Sequence, residues 1–228
     1  MITHDNPRSI DTAGVACEAC AVPRLLIVPG LRGSDPAHWQ SWLQRRHRRS
    51  VRAQLSDPDR PDLAAWSDDV GRTLAQEPPG PWIAVAHSFG GLAVLHHLMH
   101  GPVPRPGGTA IVGALLVAPA SPDRHGVAAL LGQRPIGVDL WVVSSSDDPW
   151  LPTHLALPWA ARWGARLHDL GPAGHVNVAS GFGRWPKGQE MVQKLLQRWH
   201  ARHADEAAGR SPFSLREAPR PSGHLAGT

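Results

Sequence analysis

Trp82-Ile83-Ala84-Val85-Ala86-His87-Ser88-Phe89-Gly90-Gly91 is the stretch that decides the fold. Its first five residues are an unbroken apolar run, as expected of a strand buried on both faces. A helical pattern opens at Gly90 and continues to His100, so Ser88 stands on a sharp strand–turn–helix corner. Such a corner is strained, and the residues two before and two after the serine must be small. Ala86 and Gly90 meet that need. The corner also aims backbone N–H groups and the partial positive charge of a helix N-terminus at the serine hydroxyl. Ser88 is therefore a candidate nucleophile, and the Phe89 N–H a candidate donor to an oxyanion.

Working outward, similar apolar runs closed by Gly or Pro recur along the chain. They are Arg24 to Val28, a weaker Val51 to Leu55, Ile111 to Ala118, Leu140 to Ser144 and Ala165 to Leu170. Helical patterns fall between them: His38 to Arg48, Leu63 to Ala75, and a segment after Pro152 with Trp159 and Trp163 four apart. A last one, Gln189 to His203, has Val192, Leu195, Leu196 and Trp199 as its buried stripe. Strands alternating with helices predict an α/β fold, a mostly parallel sheet covered by helices on both faces. No internal repeat is visible.

The chain has 228 residues, enough for one well-buried core. The expected domain spans 22–204, between a flexible extension over 1–21 and a flexible tail over 205–228. The tail is rich in Ala, Gly, Ser, Pro and Arg and cannot bury enough surface to order itself. Cys17 and Cys20 form a CxxC in the extension, with no second pair to complete a zinc site, and are read as incidental thiols. No metal or organic cofactor is expected. Ten Trp, three Phe and no Tyr exclude a phenol as acid or base. Much of the net charge of +4 sits in Arg45, Arg46, Arg48 and Arg49 and in arginines of the C-terminal tail, and the run from Arg45 reads as the solvated face of a helix rather than a nucleic-acid site. No apolar window reaches the roughly 18 residues of a membrane span, and no signal-peptide pattern is present. A cytoplasmic protein without nucleic-acid or membrane partners is expected.

A serine hydroxyl needs a base to take its proton, and that base needs an orienting acid. On a corner of this kind the order along the chain is serine, acid, histidine. Ser144-Ser145-Ser146-Asp147-Asp148-Pro149 follows a late strand and offers two carboxylates. Asp148 is preferred because Pro149 holds it extended, which leaves Asp147 as a solvated turn residue. Gly171-Pro172-Ala173-Gly174-His175 follows the last strand, with glycines that free the chain to bring His175 toward Ser88. The turn Pro29-Gly30-Leu31-Arg32-Gly33-Ser34 follows the first strand, and its Leu31 N–H is the candidate second oxyanion donor.

With these residues in hand, the chain resembles the small YdeN-like serine hydrolases related to retinoblastoma-binding protein 9, within the α/β-hydrolase superfamily. Four stretches carry the likeness: Val28-Pro29-Gly30 with Gly33-Ser34 and His38-Trp39; Ala86 to Gly90; Ser144 to Pro149; and Gly174-His175-Val176-Asn177 through Ser180 to Pro186. The resemblance implies a nearly lidless α/β-hydrolase with a triad of Ser88, Asp148 and His175. It favours Asp148, since the family's acid stands directly before the proline. Ala86 in place of the common glycine is a mild departure.

The expected reaction is acyl transfer to water, on a small ester or amide, through an acyl-enzyme on Ser88. Leu31, Phe89 and Trp150 are the apolar candidates near the site, with Trp150 expected to bind substrate. The alternative is a non-catalytic binding protein on a hydrolase scaffold, since a fold does not fix a function.

Overall fold

Each apolar run that ends at Gly or Pro becomes a strand of one six-stranded sheet. The strands are β1 (Arg24–Val28), β2 (Ser50–Arg52), β3 (Pro81–His87), β4 (Ala110–Val117), β5 (Asp139–Ser144) and β6 (Arg166–Asp169). Their spatial order is β2-β1-β3-β4-β5-β6, and every neighbouring pair is parallel. The computed structural model describes residues 22–132 and 135–207. The expected extension 1–21, with Cys17 and Cys20, lies outside the described residues, as does the expected tail beyond Ala207.

Alternation along the strands divides the core in two. Leu26, Val28, Ala84, Ala86, Leu116 and Val142 face one side, beneath helices α2 (Leu63–Ala75), α3 (Phe89–His100) and α4 (Thr153–Trp163). Leu25, Ile27, Ile83, Val85, Leu115 and Val143 face the other, beneath α1 (Trp39–Arg46) and α5 (Pro186–Ala207). The α2 stripe expected from its spacing, Leu63, Trp66, Val70 and Leu74, is buried throughout. Burying a side chain of this size stabilises the fold by about 1.5–3 kcal/mol.

Element ends differ from the sequence reading where local chemistry intervenes. Helix α1 starts at Trp39 because His38 caps it, its Nδ1 accepting the Gln40 N–H. Helix α5 starts at Pro186, three residues early, because proline fits the first helical position, where no backbone donor is needed. It runs to Ala207, into the start of the expected tail. Strand β2 is short, at the sheet edge. Between β4 and β5 the only regular element among the described residues is a 3-10 turn, Ala128–Leu131.

The chain leaves β1 toward β2 on one side and returns to β3 on the other. The loops after β1 and β3 therefore diverge from a crevice at the carboxyl ends of adjacent strands, where open parallel sheets place their ligands.

Candidate active site

Ser88 follows β3 and caps α3 with φ 51° and ψ −126°, a left-handed backbone that L-residues seldom adopt. Its N–H donates to Val117 O at 3.1 Å, which fixes the corner to β4. A side chain at Gly90 could not fit: a Cβ there would stand 2.8 Å from Val28 O and closer still to Pro29 O. A Cβ at Gly30 would meet Ser88 Cβ at 2.9 Å, so the loop after β1 lies directly against the serine. That loop is pinned by Arg32 N–H to Pro58 O at 2.8 Å and Gly33 N–H to Gly30 O at 3.0 Å. Among the described residues no acceptor takes the Leu31 N–H.

His175 bridges the serine and a carboxylate. Its Nε2 lies 3.0 Å from Ser88 Oγ, and its Nδ1 lies 3.0 Å from both Asp148 oxygens. Asp148 is 2% exposed, and its Oδ1 also accepts the Trp150 N–H at 2.9 Å. The neighbouring Asp147 was expected to be a solvated turn residue. It is exposed, but Oδ1 accepts from Ser145 Oγ at 2.7 Å, Ala173 N–H at 2.8 Å and Gly174 N–H at 2.7 Å. These bonds, the Ser145 hydroxyl first, hold its carboxyl below the usual aspartate range.

The backbone of His175 is held from both sides. Its N–H donates to Ser180 Oγ at 3.1 Å, and its carbonyl accepts from His87 Nε2 at 2.9 Å. Burial first, then the neighbouring His175 and His38, pushes the His87 pKa well below the ordinary value. His87 is thus a neutral donor that ties the corner to the His175 loop. The next carbonyl, Val176 O, accepts the Trp39 indole N–H at 2.9 Å. The Trp39 ring stands edge-on to Trp185 at 5.1 Å, and Trp185 to Phe182 at 5.6 Å. The His38-Trp39 and Phe182-Gly183-Arg184-Trp185-Pro186 stretches are therefore the underside of the His175 loop. Sequence reading marked them as distinctive without seeing this role, because their contacts cross more than a hundred residues.

Ser88 and His175 open into a cavity of about 810 Å³, whose walls include Leu31, Arg32, His38, His125, Trp150 and Val178. Leu31 and Trp150 are exposed at 39% and 52%, and the Trp150 ring lies 6.3 Å from the His175 ring. Phe89 also lines this cavity, with its ring 4.9 Å from that of His125. It is 1% exposed and packs edge-on against Trp66 at 5.1 Å. The first residue of a helix can present its N–H to one side while its ring enters the core on another. Among the described residues no group of three or more His, Cys, Asp or Glu is arranged to hold a metal ion. No helix among them is long and apolar enough to cross a membrane.

Comparison with known proteins agrees with this fold. The model of the Serine hydrolase family matches residues 25–194. A putative YdeN-like hydrolase from Pectobacterium atrosepticum is 34% identical, with a TM-score of 0.72 over 80% of this chain and 95% of its own. The ydeN gene product of B. subtilis is 22% identical, with a TM-score of 0.64 over 77% of this chain and 99% of its own. Esterase 2 of Thermogutta terrifontis shares the fold at 17% identity, with a TM-score of 0.53 over 86% of each chain. No curated protein matches. With a family model that spans most of the domain and a relative alike over nearly its whole length, the chain belongs to the serine hydrolase family, as a YdeN-like enzyme of the α/β-hydrolase fold.

Proposed function

We propose that this hydrolase cleaves a small ester or amide through an acyl-enzyme on Ser88, with His175 as general base and Asp148 as its orienting acid. The observation that carries this reading is the unbroken path from Asp148 through His175 to Ser88, 3.0 Å at each step. With Nδ1–H donated to the carboxylate, Nε2 is left unprotonated and can accept the serine proton. Ser88 Oγ then bonds to the substrate carbonyl carbon, and the carbonyl oxygen takes the negative charge. The Phe89 and Leu31 N–H groups are the proposed donors to that oxyanion. His175 passes its proton to the leaving alcohol or amine as the C–O or C–N bond breaks. Water, deprotonated by the same imidazole, releases the acid and restores Ser88. Trp150, beside the imidazole, is the proposed wall for the substrate's apolar part.

Hydrolysis of p-nitrophenyl acetate by the purified protein tests this directly. Ser88→Ala is expected to reduce kcat/KM by about 10⁴-fold or more and to abolish labelling by a fluorophosphonate. Unchanged hydrolysis by that variant would remove Ser88 from the mechanism. A cytoplasmic location remains part of the proposal, and cell fractionation tests it.

A further inference from the structure

One histidine on the cavity wall is more constrained than a packing residue needs to be. His38 is 5% exposed, and its N–H is held by Asp35 Oδ1 at 2.9 Å. Its Nδ1 accepts the Gln40 N–H at 3.2 Å, the cap of α1. Gln40 is itself immovable: its Nε2 donates to Val28 O at 2.9 Å and Val85 O at 3.0 Å, and its Oε1 accepts from Ser34 Oγ at 2.6 Å. A neutral imidazole carries one proton, so an accepting Nδ1 places that proton on Nε2. Burial, chiefly, pushes the His38 pKa down to about 4, and the ring is neutral in ordinary buffers.

No acceptor among the described residues takes the Nε2–H, nor is that atom sealed away from solvent. His38 lines the cavity that holds Ser88 and His175. His87, the nearest ring at 5.0 Å, commits its own Nε2–H to the His175 carbonyl. His38 is therefore a donor of fixed position, fixed tautomer and fixed charge, with nothing of the protein to bind. A donor preorganised in this way need not reorganise when a ligand arrives.

We propose that His38 is a specificity-determining residue whose Nε2–H binds an oxygen acceptor carried by the substrate near its scissile bond. The substrate class is then an ester or amide whose acyl or alcohol part bears an ether, hydroxyl or carbonyl oxygen. This deepens the reading of Ser88 as nucleophile and rests on it. A site built around a hydrogen-bond donor rejects the isostere that leaves the donor unpaired.

Two substrate pairs test it, each differing by oxygen against methylene. On the acyl side they are p-nitrophenyl methoxyacetate and p-nitrophenyl butanoate; on the alcohol side, 2-methoxyethyl acetate and butyl acetate. Each kcat/KM is divided by the rate of hydroxide-catalysed hydrolysis, which cancels intrinsic reactivity. The wild-type enzyme is expected to favour the oxygen member of at least one pair by about tenfold. In His38→Asn the amide oxygen can replace Nδ1 as the α1 cap while the Nε2–H donor is lost, and the preference is expected to fall toward unity.

Wild-type ratios near one in both pairs overturn the proposal without any variant. So does a preference that survives in His38→Asn, or a variant that slows both members of every pair equally, which would assign His38 to the reacting carbonyl. Ser88→Ala runs beside these assays. If it hydrolyses all four esters at the wild-type rate, the nucleophile reading fails and takes this proposal with it.

Discussion

Asp147 Oδ1 accepts the Gly174 N–H at 2.7 Å, so a carboxylate beside the proposed acid grips the loop of the proposed base. The Ala173 N–H and the Ser145 hydroxyl converge on the same oxygen. Two adjacent aspartates thus hold the same histidine by different means, Asp148 through its ring and Asp147 through the backbone before it.

Asp147 should therefore act as a positioning residue. Asp147→Ala frees the Gly171 to Gly174 turn, and a base displaced by even about 1 Å can cost about 10²-fold in rate. We expect kcat to fall ten- to a hundredfold with KM little changed. Asp147→Asn, which keeps an acceptor oxygen, should recover most of the loss. Steady-state kinetics on p-nitrophenyl acetate measures both, and equal losses in the two variants would count against a role through hydrogen bonding.

Asp148→Asn should be far more damaging. An amide in place of the carboxylate can turn its N–H₂ toward Nδ1, favour the wrong tautomer and leave Nε2 protonated against Ser88. The expected loss in kcat is about 10⁴-fold, with a folded protein by circular dichroism. A loss smaller than that of Asp147→Ala would reverse the roles given to the two residues.

Legibility followed locality. The corner at Ser88 is written in ten consecutive residues, and the order of serine, acid and histidine follows from the fold class. Asp148 was separable from its neighbour through Pro149, yet Asp147's grip on Gly174 crosses to another loop and leaves no local mark. His87 stands beside Ser88 in the sequence with nothing local to mark its role. Its bond to the His175 carbonyl joins residues 88 apart, which no periodicity reports. His38 entered the sequence reading only within the His38-Trp39 pair that carries the family likeness, with no role of its own. The contact of its Nδ1 with Gln40 and its place on the cavity wall give it one, and neither is legible before the chain is folded.

The glycines at the corner should separate stability from activity. Gly90→Ala forces a Cβ onto the Val28 and Pro29 carbonyls, backbone that cannot swing aside. It should lower stability by about 1–3 kcal/mol, the usual range for overpacking. Gly30→Ala instead presses on Ser88 Cβ and the His87 ring, so the nucleophile itself must shift. Activity should fall further than stability in that variant. Thermal melts beside esterase assays distinguish the two, and a Gly30→Ala enzyme with wild-type kcat would mean that the corner yields more easily than its geometry implies.

Stability should also depend on pH through His38. Its pKa in the folded protein, about 4, lies below the ordinary 6.5, chiefly because of burial. Between those values the unfolded chain binds a proton that the folded chain excludes. The stabilisation is thus fully present above about pH 6.5 and is lost as pH falls toward 4. His87, also depressed by burial, acts with the same sign. His38→Asn removes one of these groups and keeps the other, so the variant should lose less stability than the wild type on going from pH 7.5 to pH 5. The difference should be about 1 kcal/mol, once solvent screening of a partly accessible ring is allowed for. Urea unfolding at the two pH values measures it. Parallel losses in the two proteins would show that His38 takes up its proton as readily folded as unfolded, and that the ring is not held neutral within the site.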